Sequence, residues 1–92
     1  MKKVCKKILP EYFKQVVKGN KNFEIRKDED GFQVDDIIVL REFDGRDYTG
    51  NYISKRITYV LRNIQEYGLD DGYVIISFSS EQNEGICVCF ED

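Results

Sequence analysis

Residues 19–27 read GNKNFEIRK, a segment that ends a predicted helix and begins a predicted strand. Its second half alternates apolar and charged side chains, as expected for a strand whose side chains point alternately to two faces. The alternation predicts that Phe23 and Ile25 share an apolar face that anchors the strand. Glu24 and Arg26 then project together from the opposite face, so this segment predicts a polar site on a rigid element.

Two interpretations of that polar face follow from the residues alone. In the first, Glu24 and Arg26 form an exposed ion pair, which contributes little to stability. In the second, they form a site with Lys21, which the preceding loop brings to the same place. Arg26 then presents a planar fork of donors to a phosphate or a carbonyl edge. Glu24 orients Arg26, accepts a hydrogen bond from the amine of a base, or acts as a general base. Lys21 supplies positive charge or, if desolvated, an activating amine.

The bulk composition predicts a single domain over residues 1–92. The net charge of -3 argues against a non-specific nucleic-acid binder, which needs a broad excess of lysine and arginine. The charges are unevenly placed, because residues 1–27 are basic whereas residues 81–92 are acidic and contain no basic side chain. The molecule is therefore expected to have one basic end, with an acidic tail at the other.

Cysteine and histidine usage indicates neither a metal site nor a cofactor. The chain has no histidine, which is the commonest metal ligand and the usual acid–base group at neutral pH. Cys5, Cys87 and Cys89 lack the Cys-x-x-Cys spacing and are expected to be small buried free thiols. The longest apolar runs are too short for a signal peptide or a membrane span. Together with free thiols, this predicts a cytoplasmic protein without membrane association.

The order of the predicted elements indicates the fold class. A helix begins at Pro10 and ends at Gly19, and we expect Tyr12 and Phe13 on its core-facing side. Strands are predicted at 4–9, 22–27, 36–43, 73–78 and 86–90. A further stretch, 48–61, is expected to form one long strand or two with a break near 50–51. A hairpin turn is expected at 44–47 and a single helical turn at 64–67. The fold is therefore predicted to be α+β, a small mixed β-barrel of five or six strands with one N-terminal helix.

Gly19, Lys21, Glu24 and Arg26 also carry a family likeness. Their spacing, GxKxxExR, resembles the signature of ASCH domains, which belong to the PUA-like barrels. The chain is closer still to a small bacterial and phage-borne family of unknown function within that group. The matching blocks run in order over about residues 8–78, including ILPEYF at 8–13, FEIRK at 23–27, LREF at 40–43, YTG at 48–50 and GYV at 72–74. Asp35 departs from the pattern, because relatives have glycine there, and we expect a turn with positive φ that aspartate tolerates.

The resemblance implies a PUA-like barrel whose cleft, lined by the signature residues, binds RNA or a modified nucleotide. One branch of ASCH domains resembles an amidohydrolase of acylated cytidine, but it has threonine at the position of Glu24. Hydrolysis also requires a hydroxyl or water near Lys21, and Thr49 and Thr58 are the candidate hydroxyls.

The expected function is therefore an RNA-binding or nucleotide-binding module. The alternatives are an enzyme resembling a nucleoside amidohydrolase, and a protein-interaction accessory factor of a phage or mobile element that uses the acidic tail. Whether the protein is an enzyme is left open, with Lys21 and Glu24 as the catalytic candidates. Tyr48 either stacks on a base or is an ordinary surface aromatic, and Arg41 either reaches the cleft or is a strand-end charge. The predicted ligand-binding residues are Lys21, Glu24, Arg26, Arg41, Tyr48, Thr49 and Arg56.

Overall fold

One helix and five strands make up the fold of the part of the chain that the structure describes. The structure, a computed structural model, describes residues 1–79. Its elements in chain order are β1 (Lys3–Ile8), α1 (Pro10–Val17), β2 (Phe23–Lys27), β3 (Ile37–Phe43), β4 (Tyr48–Arg62), a 3-10 turn (Gln65–Tyr67) and β5 (Tyr73–Phe78). Each element predicted within this range is present, with bounds that shift by one or two residues. The predicted strand at 86–90 lies outside the described residues.

The strands form one mixed sheet in the order β1-β3-β4-β5-β2. β1 runs parallel to β3, and the other neighbours are antiparallel. β4 pairs with β3 along its first half and with β5 along its second half, so it belongs to both sides of the sheet. It is a single strand, and an irregularity in its pairing with β3 lies opposite Gly50, whose φ is 101°. The α+β class is therefore confirmed.

The predicted closed barrel is wrong for the described part of the chain. Within residues 1–79, β1 and β2 are the two edges of the sheet and do not pair with each other. A side chain joins them instead, because Nη2 of Arg26 on β2 donates a hydrogen bond to the carbonyl oxygen of Lys7 on β1 at 2.5 Å. The sheet thus curves until its edges approach, and it leaves an open seam between them.

The main core lies on the side of the sheet that α1 covers. Val16 of α1 and Phe32 of the loop between β2 and β3 pack with inward side chains of β3, β4 and β5, including Ile38, Leu40, Ile57, Val74 and Ile76. Ile37 and Val39 are buried as well, although they point to the opposite face of β3. The four consecutive apolar residues 37–40 are therefore buried on both faces of the sheet.

The C-terminal end of α1 fixes the direction in which the chain enters β2. Gly19 has a φ of 82°, and its N–H donates to the Val16 carbonyl at 3.0 Å. The N–H groups of Asn20 and Lys21 both donate to the Gln15 carbonyl, at 3.0 and 3.1 Å. This is the Schellman arrangement, in which a left-handed residue lets the chain satisfy the last helical carbonyls. The backbone of Lys21 is therefore attached directly to the helix end.

Two ionic contacts attach the loop between β2 and β3 to the rest of the fold. Arg62 donates from Nε and Nη2 to the Asp28 carboxylate at 2.7 and 3.0 Å, and Nη2 also donates to the Phe32 carbonyl at 3.1 Å. The hydrogen bond to Asp28 raises the pKa of Arg62 despite partial burial. At the other end of the loop, Asp36 is 3% exposed and accepts hydrogen bonds from Lys2 and Gln33. Phe32 is thereby held in the core.

Asp35 has a φ of 80°, as predicted, in the left-handed region that favours glycine. A side chain in this conformation lowers the free energy of unfolding by roughly 1 kcal/mol, and glycine would remove that strain. Glycine also gives the unfolded chain more conformational freedom, which offsets part of the gain. We therefore expect Asp35→Gly to raise the free energy of unfolding in urea by up to about 1 kcal/mol. Glu29→Gly, at an exposed residue of the same loop with negative φ, is the matched control and should lower it. A loss of stability in Asp35→Gly would contradict this account.

The prediction of buried free cysteines is wrong for Cys5, which is exposed and disulfide-bonded. Cys87 and Cys89 lie outside the described residues. Within residues 1–79, no helix is long and apolar enough to cross a membrane.

Candidate functional site

β2 places its charged side chains toward the core and its apolar side chains outward. Glu24 is only 6% exposed, whereas Phe23 and Ile25 are 45% and 53% exposed. The alternation predicted from the sequence is present, but the predicted burial of the two faces is reversed. The pairing with β5 explains the reversal, because Glu24 and Arg26 stand opposite the buried residues Ile76 and Val74. Directly opposed residues of an antiparallel pair share a face.

Lys21, Glu24 and Arg26 converge into one hydrogen-bonded network. Nζ of Lys21 donates to Oε2 of Glu24 at 2.5 Å and to the carbonyl oxygen of Phe23 at 2.8 Å. Nε of Arg26 donates to Oε1 of Glu24 at 3.0 Å. Each carboxylate oxygen therefore accepts from one cation, which makes the burial of Glu24 tolerable. Of the two interpretations above, the exposed ion pair is wrong, since Glu24 is buried between two partners.

This network forms one wall of a cleft at the open seam of the sheet. This cleft is the first of two and has a volume of about 440 Å³, which lies within the size range of small-ligand pockets. Its polar lining is Lys7, Lys21, Glu24 and Arg26, and its apolar lining is Ile8, Leu9, Tyr12, Phe23 and Ile25. The Lys21 ammonium lies 4.8 Å from the ring centre of Phe23 and 5.7 Å from that of Tyr12. The cleft thus combines two aromatic faces with fixed hydrogen-bonding groups.

A second cleft, of about 330 Å³, adjoins the first. It is lined by Cys5, Lys6, Lys7, Arg26, Arg41 and Tyr48. The Arg41 guanidinium lies 3.8 Å from the ring centre of Tyr48, and the Lys7 ammonium lies 4.4 Å from that of Phe43. Arg26 and Lys7 line both clefts, so these two side chains form the boundary between them.

The two remaining predicted ligand-binding residues lie apart from both clefts. Oγ1 of Thr49 donates to Oε1 of Glu42 at 2.7 Å, and Nη1 of Arg56 lies 4.0 Å from the Asp35 carboxylate. Thr58, the other candidate hydroxyl, lies 3.1 Å from the Ser77 hydroxyl. Neither lining, as far as residues 1–79 define it, includes a serine or a threonine. The same residues contain no group of three or more histidine, cysteine or acidic side chains placed to hold a metal ion.

Among the residues of the first cleft that sequence reasoning missed, Tyr12 and Lys7 are the two with polar side-chain groups. Tyr12 was expected in the core, but it is 46% exposed, since the helix buries a narrow stripe centred on Phe13 and Val16. A tyrosine at the border of such a stripe is a usable signal, because it has an apolar body and a polar tip. Lys7 was grouped only with the general basic character of residues 1–27. Its position became informative only once the topology had placed the end of β1 opposite β2.

The fold and the first cleft together define a small α+β protein with a ligand-sized cleft, lined by both apolar and charged residues, at the open seam of its sheet. Residues 5–78 match the model of a family described as a domain of unknown function, DUF3850. Because the match covers most of the chain, the protein belongs to this family. No curated protein matches the chain.

Proposed function

We propose that the protein is a binding module of the ASCH and PUA-like kind, which holds a base of RNA or of a modified nucleotide in the first cleft. The observation that carries this proposal is the convergence of Lys21, Glu24 and Arg26 on one concave surface between the two sheet edges. Such convergence of a few polar groups in a mostly apolar pocket is typical of small-ligand sites. The proposed ligand also favours a cytoplasmic location, although Cys5, which is disulfide-bonded, does not support that location as a free thiol would.

Each lining group has a role that its contacts support. Glu24 is the positioning residue, because its two oxygens accept from Lys21 and Arg26 and so fix both cations. Within residues 1–79, Nη1 of Arg26 has no hydrogen-bond partner, which leaves a donor for a carbonyl or phosphate oxygen. The half-exposed ring of Tyr12 offers a face on which a base stacks.

The same contacts favour binding over hydrolysis. An amidohydrolase with a side-chain nucleophile needs that group beside the activating amine, yet Thr49 and Thr58 hydrogen-bond elsewhere and do not line the first cleft. The Lys21 ammonium is instead tied to a carboxylate and to a carbonyl oxygen. A positioned cation of this kind suits recognition of a ligand.

Tyr12→Leu tests the proposal at a residue whose exposure makes misfolding a small risk. Leucine retains apolar bulk but removes the stacking face, which contributes about 1–3 kcal/mol per base, so we expect affinity to fall about tenfold or more. Tyr67→Leu is the matched control, because Tyr67 is 80% exposed and does not line the first cleft. Affinities are measured by isotope-edited NMR titration with the four common ribonucleosides, N4-acetylcytidine and a short single-stranded oligoribonucleotide.

The titration gives clear outcomes. Binding is expected to shift the backbone amides of residues 19–27, and Tyr12→Leu, but not Tyr67→Leu, is expected to weaken it. If none of these ligands shifts those amides, the proposal is wrong. Deacylation of N4-acetylcytidine that disappears in Lys21→Ala would replace it with the hydrolase alternative.

A further inference from the structure

The second cleft is the more basic of the two. Four cationic residues line it, Lys6, Lys7, Arg26 and Arg41, and among residues 1–79 no acidic residue belongs to its lining. The lining of the first cleft, in contrast, includes the Glu24 carboxylate beside its cationic side chains. Lys6 is paired with Asp30, whose carboxylate lies 2.5 Å from its ammonium. The local charge therefore favours an anion in the second cleft and an uncharged polar ring in the first.

Aromatic rings position two of these cations. The Lys7 ammonium lies over Phe43, and within residues 1–79 it takes part in no ion pair. The Arg41 guanidinium is stacked on Tyr48, and Phe43 and Tyr48 contact each other edge to face with ring centres 5.2 Å apart. A ring face attracts a cation without adding a negative charge. This pair of rings therefore holds both positive groups at one wall of the second cleft.

The two clefts are placed to hold two parts of one ligand. Lys7 and Arg26 line both of them, and the hydrogen bond from Arg26 to the Lys7 carbonyl fixes the boundary. A planar base bound in the first cleft with its sugar edge toward Arg26 would place that sugar at this boundary. A phosphate attached to that sugar then lies beside Arg26, Lys7 and Arg41, whose donors suit phosphate oxygens.

We propose that this protein recognises a nucleotide through its phosphate as well as its base, with the base in the first cleft and the phosphate in the second. This inference rests on the function proposed above and adds to it a phosphate subsite formed by Lys7, Arg26 and Arg41. The net charge of -3 makes general attraction of anions a poor explanation for such a preference. The preference must instead come from these local side chains.

The test compares each ribonucleoside with its 5′-monophosphate and with the corresponding dinucleoside monophosphate by calorimetry at low salt. We expect the phosphate to tighten binding about tenfold or more, since a charge-assisted hydrogen bond to phosphate is worth that factor. Arg41→Gln and Lys7→Ala should each bring the ratio of the two dissociation constants close to one. Lys3→Ala is the matched control, because Lys3 is exposed on the same strand, shares the strand face of Lys7 and lines neither cleft.

The outcomes separate the two proposals. Equal affinity for nucleosides and their phosphates, or an advantage that Lys3→Ala reduces as much as Arg41→Gln does, overturns the phosphate subsite and leaves the base-binding function intact. Inorganic phosphate that shifts the amides near Lys7 and Arg41, while no nucleoside shifts residues 19–27, supports the anion site and overturns base binding. If neither phosphate nor any nucleotide binds, both proposals are wrong. A preference for the dinucleotide over the 5′-monophosphate would identify an RNA phosphodiester as the source of the phosphate.

Discussion

Glu24→Gln is expected to lower the free energy of unfolding by about 2–3 kcal/mol, the largest effect of any single change considered for this chain. Glutamine has nearly the shape of glutamate, but it removes the negative charge that Lys21 and Arg26 share. Two partly buried cations are then left side by side without a counter-charge. Lys21 and Arg26 are 18% and 23% exposed in their side chains, and this access to water keeps the loss below that of a fully buried pair.

Urea denaturation followed by circular dichroism measures this loss. Glu66→Gln is the matched control, because Glu66 is exposed in the 3-10 turn, and its change should stay within about 0.5 kcal/mol. A double-mutant cycle of Glu24→Gln with Lys21→Met isolates the pair from the rest of the network. Equal stability losses in Glu24→Gln and Glu66→Gln would show that the network contributes nothing and would weaken its assignment as the organiser of the first cleft.

Asp36→Asn is expected to lower the free energy of unfolding by about 2 kcal/mol at neutral pH. Asp36 accepts the backbone N–H of Lys2 at 2.9 Å, the Lys2 ammonium at 3.0 Å and the backbone N–H of Gln33 at 2.9 Å. Asparagine removes the charge and turns an accepting oxygen into a donor, so at least one of these groups loses its partner. Asp70→Asn, at an exposed residue outside this network, is the control and should leave stability nearly unchanged.

The same residue predicts a pH dependence with a definite sign. Burial by itself raises the pKa of Asp36, but the hydrogen bonds from the Lys2 and Gln33 backbones and from the Lys2 ammonium outweigh it and hold the pKa below the ordinary value of an aspartate. A lowered carboxyl pKa gives stability that is present above the ordinary pKa and disappears as the pH falls through the folded value. The difference in the free energy of unfolding between the native chain and Asp36→Asn should therefore be largest at neutral pH, about pH 7, and should shrink below about pH 4. A gap that widens in acid would contradict this assignment.

The sequence predicted the elements well because their signals are local. Pro10 and Gly19 mark the ends of α1, and the run Ile37–Leu40 identifies β3 as a strand buried on both faces. Asp35 was expected to adopt positive φ, and it does. Each of these features depends on a residue and its immediate neighbours, so a pattern along the chain is sufficient to find it.

The site was predicted only in part, because burial depends on partners distant in the chain. The alternation in β2 is visible in the sequence, but the face that turns inward is set by its register with β5, about 50 residues later. Hydrophobicity alone places Phe23 and Ile25 inside, whereas the register places Glu24 there. Tyr12 and Lys7 were missed for the same reason, since the cleft that they line exists only after β1 and β2 meet.

The backbone pairing between strands forms the framework of this domain, whereas the hydrogen bond between Arg26 and the Lys7 carbonyl sets the width of the cleft entrance. A closed barrel fixes its own diameter, because strand number and stagger determine the width. Here, as far as residues 1–79 define the sheet, the Arg26 guanidinium spans the gap between the first and last strands of the sheet order. A change at position 26 alters that span and leaves every backbone ladder between the strands in place. The length and shape of the side chain at position 26 therefore determine the width of the ligand entrance.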